Sequence, residues 1–373
     1  MPNLVFLGHD ANDAAVQRRI ASFARAGAAV TGFTMRRGAA AERAWANVDL
    51  GETRDAAFAQ RLAALARGAR ILSQHKKTLA DADILYARNL DMLFLANQAK
   101  MMSGSRAKIV YECLDIHRFM TREDALGALM RGLERRLLKA CARVIISSPA
   151  FEREYFAKRH PGAYQAQLIE NRMPPGFAYG PRPADARAQG GVINIGWFGN
   201  LRCKRSLGLL LDVAERFPDR VRLSLRGAPA KAEFSDFEAR VAGRANVSFG
   251  GRYRWPDDLA ALYRDVDLVW AGDFHDAGAN SKWLLPNRLY EGGYYGAPPF
   301  APADSETGSW IEAHGFGFTL AEPLEQTLPA FIEQLTHERI AGARARLLAT
   351  PDSVFLQDER EIPDLLDSLM ATP

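Results

Sequence analysis

The sequence predicts an α/β protein built from two doubly wound, Rossmann-like domains with an interdomain cleft, and three observations lead there. Short β-rich runs alternate with amphipathic stretches along the whole chain, the pattern of parallel sheets covered by helices. The series breaks once, at a Pro- and Gly-rich stretch, and then restarts. The length, 373 residues, exceeds what one hydrophobic core usually supports.

In the first half, LVFL (4–7) leads into a helix over about 13–26, with Val16, Ile20 and Phe23 on one face. AAVTGF (28–33) is the second strand. A helical stretch near 55–67 follows, then ILYA (84–87), a helix near 91–102, KIVY (108–111), a long amphipathic helix near 123–140 and RVIIS (143–147). From Arg172 to Gly191 the texture changes: RMPPGFAYGPRPADARAQGG holds four prolines and four glycines without periodicity, which reads as an interdomain linker. The second half runs VINIGWF (192–198), a helix near 205–217, VRLSL (221–225), a helix near 231–242, NVSF (246–249), a helix near 257–264 and VDLVW (266–270). The expected boundaries are a first domain over 1–171, a linker over 172–191, a second domain over 192–350 and a helical tail over 351–373. Which domain the tail packs on stays open.

Composition excludes several classes. Three cysteines far apart (Cys113, Cys141, Cys203) make neither a disulfide framework nor a zinc site, and they suit a reducing cytosol. The start, MPNLVFLGHDAND, has no basic leader and too short an apolar run for a signal peptide; a cytoplasmic location is expected. No segment has the apolar length to cross a bilayer. Charge is uneven. Residues 1–180 carry 27 Lys and Arg against 17 Asp and Glu, a net +10, so the whole-chain totals of 48 and 44 leave −6 for the rest. The first half therefore either meets an anionic surface or ligand or has a solvated basic face. Nucleic acid is not expected, because no dense basic cluster with interleaved aromatics is present.

The chemistry concentrates in the second half. In IGWFGNLRCKRSLGLLL (195–211), a strand ends at Gly199, three cations follow (Arg202, Lys204, Arg205), and a helix is expected to begin near Ser206. Backbone N–H groups at a helix start, with cations beside them, make a site for a diphosphate; a solvated basic turn is the alternative. The spacing is neither that of a P-loop nor that of a dinucleotide fingerprint. In SKWLLPNRLYEGGYYGAPPFA (281–301), Pro286 can occupy the first position of a short helix that Gly296 closes. That helix carries one acid, Glu291. An ionised carboxylate can accept both hydroxyls of a vicinal diol, so Glu291 is expected to face a ribose, with Gly292 and Gly293 letting a nucleotide approach the backbone.

These segments resemble the donor domain of GT-B-fold glycosyltransferases, particularly family 4. The strand, glycine, basic turn and helix of 195–211 match that family's diphosphate grip. PNRLYEGGYYGAPPFA (286–301) is similar to its closing segment, commonly PxKLxEYxAxGxPVI. In the first half, IVYECLDIHRF (109–119) resembles the acceptor-domain strand that ends in a cleft histidine. ILYARNLDMLFLA (84–96) and IISSPAFEREYF (145–156) resemble segments of succinoglycan-type exopolysaccharide transferases. The resemblance implies donor contacts from Gly199, Arg202, Lys204, Arg205, Asn287 and Glu291. It places His117 near the reaction centre, with Asp115 orienting it, acting as a base, or simply capping the next turn. Arg88 and Asn89, just past a strand, would touch acceptor or phosphate, or serve loop hydrogen bonding. Where the family has E-x7-E, the first position here is Trp283, so that sugar contact is missing; Asn200 stands where many members have arginine.

The expected activity is transfer of a sugar from a UDP or GDP donor to a lipid-linked saccharide acceptor in exopolysaccharide or cell-surface polysaccharide synthesis. No separate cofactor is implied. Asp81-Ala-Asp83 and Asp265-Val-Asp267 precede strands rather than follow them, so they read as turn residues and no metal is expected. In ALGALMRGLERRLLKA (125–140), Leu126, Leu129, Met130, Leu133 and Leu137 share one face. Such a helix usually covers a sheet; the alternative is peripheral contact with an anionic inner-membrane surface. A non-catalytic scaffold of a polysaccharide assembly and a sugar-nucleotide epimerase on the same fold are the competing functions.

Overall fold

The computed structural model describes residues 1–40, 42–53, 58–184, 191–230, 232–276, 278 and 280–371. The chain divides into two compact units, 1–170 with 358–373, and 171–357.

The first unit holds a seven-stranded sheet: β1 (Asn3–Gly8), β2 (Ala29–Arg36), β3 (Ala46–Glu52), β4 (Ile84–Arg88), β5 (Lys108–Cys113), β6 (Cys141–Ile146) and β7 (Ala166–Leu168). The order is β3-β2-β1-β4-β5-β6-β7, with every pair parallel. The central strands are apolar and almost fully buried, from Leu4 to Leu7 and from Ile84 to Ala87, as a sheet covered on both faces requires. Helix starts follow the expected chemistry. Asp13 caps the Ala14–Arg25 helix by accepting from the Ala15 and Val16 amides. On one face Phe6 stacks on Tyr86 and Phe23 meets Tyr86 edge-on. The last helix, Glu361–Ala371, joins that core through Ile362, Leu365, Leu366 and Leu369, and the Lys108 ammonium donates to the Leu369 carbonyl. The tail therefore packs on the first unit from Asp358 onward, while residues 351–357 stay with the second.

The second unit holds six parallel strands: β8 (Ile193–Leu201), β9 (Val221–Pro229), β10 (Val247–Phe249), β11 (Leu268–Trp270), β12 (Pro299–Pro302) and β13 (Phe318–Leu320), in the order β10-β9-β8-β11-β12-β13. Residues 172–184 of the expected linker belong to this unit, as does Asn171, which was expected in the first domain; 185–190 lie outside the described residues. Met173 exchanges backbone hydrogen bonds with Phe355 and Gln357, and the Arg182 guanidinium donates to the carbonyls of Tyr294, Leu347 and Thr350. Both sheets reverse their strand order once, between β1 and β4 and between β8 and β11. In open α/β sheets ligands bind just outside the strand carboxyl ends at such a reversal.

Candidate functional site

In the second unit the reversal lies between β8 and β11; Gly199, Arg202, Lys204 and Arg205 lie at the end of β8 and the start of the helix after it, and Glu291 on a helix between β11 and β12. β8 runs on to Leu201, past Gly199, where it was expected to end. Gly199 has φ +108 and pairs with Gly227 of β9, φ +134. A Cβ on Gly227 would lie 1.8 Å from the Gly199 carbonyl oxygen, whereas one on Gly199 would meet nothing within 4 Å. Gly227 is thus required by close packing, and Gly199 leaves bare backbone facing open space.

The helix after β8 begins at Lys204, earlier than expected, with Cys203 rather than Ser206 as its cap. The Cys203 thiol has only a short reach and sits at the end of an extended backbone, so it takes the role Ser206 was expected to have. Its Sγ accepts from the Ser206 amide at 3.3 Å and from the Phe274 amide at 3.2 Å. One sulfur thereby ties the helix start to the loop after β11. Lys204 and Arg205 consequently belong to the first helical turn. Their charges meet acids: Lys204 lies 3.5 Å from the half-buried Glu233, and Arg205 donates to the exposed Glu322 at 2.7 Å and Glu325 at 3.0 Å while its guanidinium covers the Phe274 ring. The Arg202 Nε lies 3.4 Å from Asp273 Oδ2.

Asp273, on the loop after β11, is nearly buried. Its Oδ1 accepts from the His275 amide at 2.8 Å and the Ser281 hydroxyl at 2.9 Å. Burial pushes its carboxyl up, but Arg202, Arg288 and those hydrogen bonds together hold it below the usual carboxylate range. Arg288, which the sequence reading did not single out, is the link to Glu291. It is 9% exposed, sits one turn before Glu291 on the Asn287–Tyr294 helix, and donates to the carbonyls of Trp270 at 2.7 Å and Gly272 at 2.8 Å. A lone cation three residues before the acid in an otherwise apolar and aromatic helix was the available signal.

Glu291 itself is 3% exposed. Its Oε1 accepts from the Trp255 indole N–H at 3.2 Å and its Oε2 from the Tyr263 hydroxyl at 2.9 Å. Burial first, then the Glu291 charge, push the Tyr263 phenol far up, so it remains a donor. Pro286 is the cap and Asn287, half-buried, the first helical residue; Gly296 (φ +72) ends the helix, with the Ala297 and Gly296 amides donating to the Gly292 and Gly293 carbonyls. The two glycines do not open the helix to a ligand. A Cβ on Gly292 would press on Val269 and Tyr263, and one on Gly293 on Phe355; they are small because the helix packs tightly on its own unit.

In the first unit Arg88 is 3% exposed. It donates to the Ala15 carbonyl at 2.6 Å and lies 3.5 Å from Glu112, whose other oxygen takes Arg19 at 2.8 Å. Burial opposes ionisation of Glu112, and the two guanidinium groups more than offset it, holding the carboxyl below its usual range. Asn89 has φ +82 and caps the Leu90–Ser103 helix by accepting from the Met92 amide. Asp115 and His117 are both exposed, on either side of buried Ile116, as alternation on an extended segment expects; the His117 ring accepts from the Phe119 amide at 3.3 Å. The triplets Asp81-Ala-Asp83 and Asp265-Val-Asp267 bind backbone: the Asp83 carboxylate accepts from the Asn3 amide and that of Asp267 from the Asn194 amide. Among the described residues no group of three or more His, Cys, Asp or Glu side chains is placed to hold a metal ion, and no helix is long and apolar enough to cross a membrane.

No protein-family model matches the chain. It is 38% identical over 376 residues to the succinoglycan biosynthesis protein ExoL of Rhizobium meliloti (strain 1021), an alignment covering 99% of this chain and 93% of that protein. Among solved structures it is similar to Anabaena Alr3699/HepE in complex with UDP-glucose (TM-score 0.71, 18% identity, all of both chains). It is also similar to sucrose-phosphate synthase from Thermosynechococcus elongatus (0.74, 15%, 99% and 98%). A third is WaaG, a glycosyltransferase involved in lipopolysaccharide biosynthesis (0.66, 14%, 99% and 100%). The structural likenesses give the GT-B fold and the sequence match gives the family: the chain belongs to the family of the succinoglycan biosynthesis protein ExoL.

Proposed function

We propose that the second unit binds a nucleotide diphosphate sugar, UDP or GDP, and that the protein transfers its sugar to a lipid-linked saccharide acceptor during polysaccharide synthesis. The observation that carries this reading is the knot at the β8–β11 reversal. Glu291 is held by two aromatic donors, and its helix is pinned through Arg288 to the loop that Arg202 and Cys203 also grip. An ionised carboxylate can accept both hydroxyls of a vicinal diol, so Glu291 would take the ribose. Gly199 and the Lys204–Arg205 helix start would take the diphosphate, with Asn287 at the first turn of the neighbouring helix.

Catalysis would be electrostatic. Cations and backbone N–H groups fixed beforehand stabilise charge as it accumulates on the departing diphosphate, which requires no metal. His117 and Asp115 would act on the acceptor hydroxyl. UDP-glucose in the Anabaena relative's complex makes a UDP donor the first to try. The basic first half and the exposed Leu126 and Leu129 support peripheral contact with an anionic inner-membrane surface, and the protein would work on the cytoplasmic side.

The test is thermal stabilisation by UDP and GDP in the presence of EDTA. One of them should raise Tm in a concentration-dependent way, and Glu291→Ala or Lys204→Ala should abolish the shift. Absence of any nucleotide response would return the protein to the scaffold reading. Conversion of the donor sugar rather than its transfer would establish an epimerase.

A further inference from the structure

The loop after β11 runs along the basic turn residue by residue. Asp273 Oδ2 lies 3.4 Å from the Arg202 Nε, the Phe274 amide donates to the Cys203 Sγ at 3.2 Å, and the Phe274 ring lies under the Arg205 guanidinium. His275 completes the series through an acid. Its Nδ1 is 3.8 Å from Glu233 Oε1, and the other oxygen of that carboxylate is 3.5 Å from the Lys204 ammonium.

Three neighbouring strands supply this group. Lys204 follows β8, Glu233 follows β9 and His275 follows β11, and β9 and β11 flank β8 in the sheet. Adjacent strands are about 4.8 Å apart, so side chains from either side of β8 that come within 3.8 Å of each other meet across its carboxyl end. That is where Gly199 leaves bare backbone and the helix from Lys204 begins. Both partners of the pair are anchored. The Glu233 amide donates to the Ala230 carbonyl at 2.9 Å, and its neighbour Phe234 is buried edge-on against Phe237. The His275 amide donates to the Asp273 carboxylate at 2.8 Å.

Neither ion pair is tight. Both separations exceed a direct N–H···O hydrogen bond, and Lys204, His275 and Glu233 keep 58%, 36% and 31% of their side chains exposed. A carboxylate set between an ammonium and an imidazole, cationic once protonated, has the charge and the acceptor oxygens of a phosphate group. It can leave at little cost, since exposed pairs are weak.

We propose that His275 is a further diphosphate-binding residue and that Glu233 is a placeholder anion, which holds His275 and Lys204 over the end of β8 until a nucleotide diphosphate displaces it. The inference rests on the donor reading above and adds to it one residue that strengthens binding and one that opposes it.

Affinity for whichever of UDP and GDP the wild type binds, measured beside that for the matching nucleoside, tests it. Glu233→Gln removes the competing charge and should tighten the nucleotide about two- to fivefold, the worth of an exposed ion pair, with the nucleoside unchanged. His275→Ala should weaken the nucleotide about five- to tenfold, as for loss of a charge-assisted hydrogen bond, again without moving the nucleoside. The same loss should appear when His275→Ala is added to Glu233→Gln. Thermal unfolding without nucleotide, which changes at these positions should hardly move, reports folding of each variant. Unchanged or weaker nucleotide binding in Glu233→Gln overturns the placeholder. A His275→Ala loss that disappears in the Glu233→Gln background overturns direct contact, because the ring would then act only by neutralising the acid. If wild type and Glu233→Gln alike bind neither nucleotide, the donor reading fails and takes this inference with it; nucleotide binding by wild type that neither variant alters fails the inference alone.

Discussion

Each unit presents arginine at the carboxyl end of its sheet, and the two arginine sites are used in opposite ways. In the first unit Arg88 is 3% exposed, locked with Arg19 onto Glu112 beneath the strand ends. In the second, Arg202, Lys204 and Arg205 keep 24%, 58% and 36% of their side chains exposed; Arg202 faces the nearly buried Asp273, Lys204 the half-buried Glu233, and Arg205 the exposed Glu322 and Glu325. From sequence both look like cations past a strand. What differs is the partner: an acid inside the sheet consumes the charge for folding, whereas acids at the rim screen it weakly and can yield to a phosphate. Lys204 and Arg205 are therefore the cations whose counter-ions a ligand could most readily displace.

The largest test of that contrast removes the buried counter-ion. Glu112→Gln leaves Arg19 and Arg88 without a matching charge in a dry site, and breaking such a cluster costs about 3–5 kcal/mol. Urea unfolding should show it in the first unit's transition, while the nucleotide-induced Tm shift persists. The pH dependence has a definite sign. Glu112 is held below its ordinary value of 4.5, so its contribution is fully present above that value and is lost as the pH falls through the lower folded-state value. Wild type should lose stability over that acid window, and Glu112→Gln should show a flatter profile there. An equal slope in both proteins would mean that Glu112 is not the charged centre of the cluster.

Next in size is the glycine pair that shapes the second site. Gly227→Ala forces a methyl to within 1.8 Å of the Gly199 carbonyl oxygen at a φ of +134, and it should cost roughly 2–4 kcal/mol by strain and displaced backbone. Gly199→Ala meets open space and bears only the backbone penalty, about 1 kcal/mol or somewhat more. It should nonetheless weaken nucleotide binding, because the methyl occupies the space a phosphate would enter. A Gly199→Ala protein that binds nucleotide as wild type does would remove Gly199 from the site.

These comparisons also show what the sequence could disclose. Continuous apolar runs such as Leu4–Leu7 and Ile84–Ala87 announced central strands, and a restarted series after Gly191 announced two sheets. The strands left unread were edges: β3, where Leu50 alone is fully buried, β7 and β13, each three residues long. The tail was expected to be helical, but nothing local states which sheet covers its apolar face. Site residues followed the same rule. Glu291 and the basic turn were singled out from local composition as candidates. Their supports were not, because Arg288 binds carbonyls 16 to 18 residues away and Tyr263 reaches Glu291 across 28. Pairings of that kind are set by topology, and no short window of sequence contains them.

The smallest predicted effect sharpens the comparison most, since it separates a surface ion pair from a ligand contact at one residue. Arg205 bridges Glu322 and Glu325 at the surface; exposed pairs are worth little, so Arg205→Ala should change stability by no more than about 1 kcal/mol. If its cation also serves the diphosphate, UDP or GDP affinity should fall about tenfold, as expected for loss of a charge-assisted hydrogen bond, and affinity for the nucleoside alone should stay unchanged. The positioning of Glu291 gives the matching control at the other end of the nucleotide. Tyr263→Phe removes the donor at 2.9 Å from Oε2 and should lower the preference for UDP over 2′-deoxy-UDP, because a carboxylate free to turn no longer meets both hydroxyls. General damage to the unit would weaken the two nucleotides equally, and an unchanged preference would leave Tyr263 as packing alone.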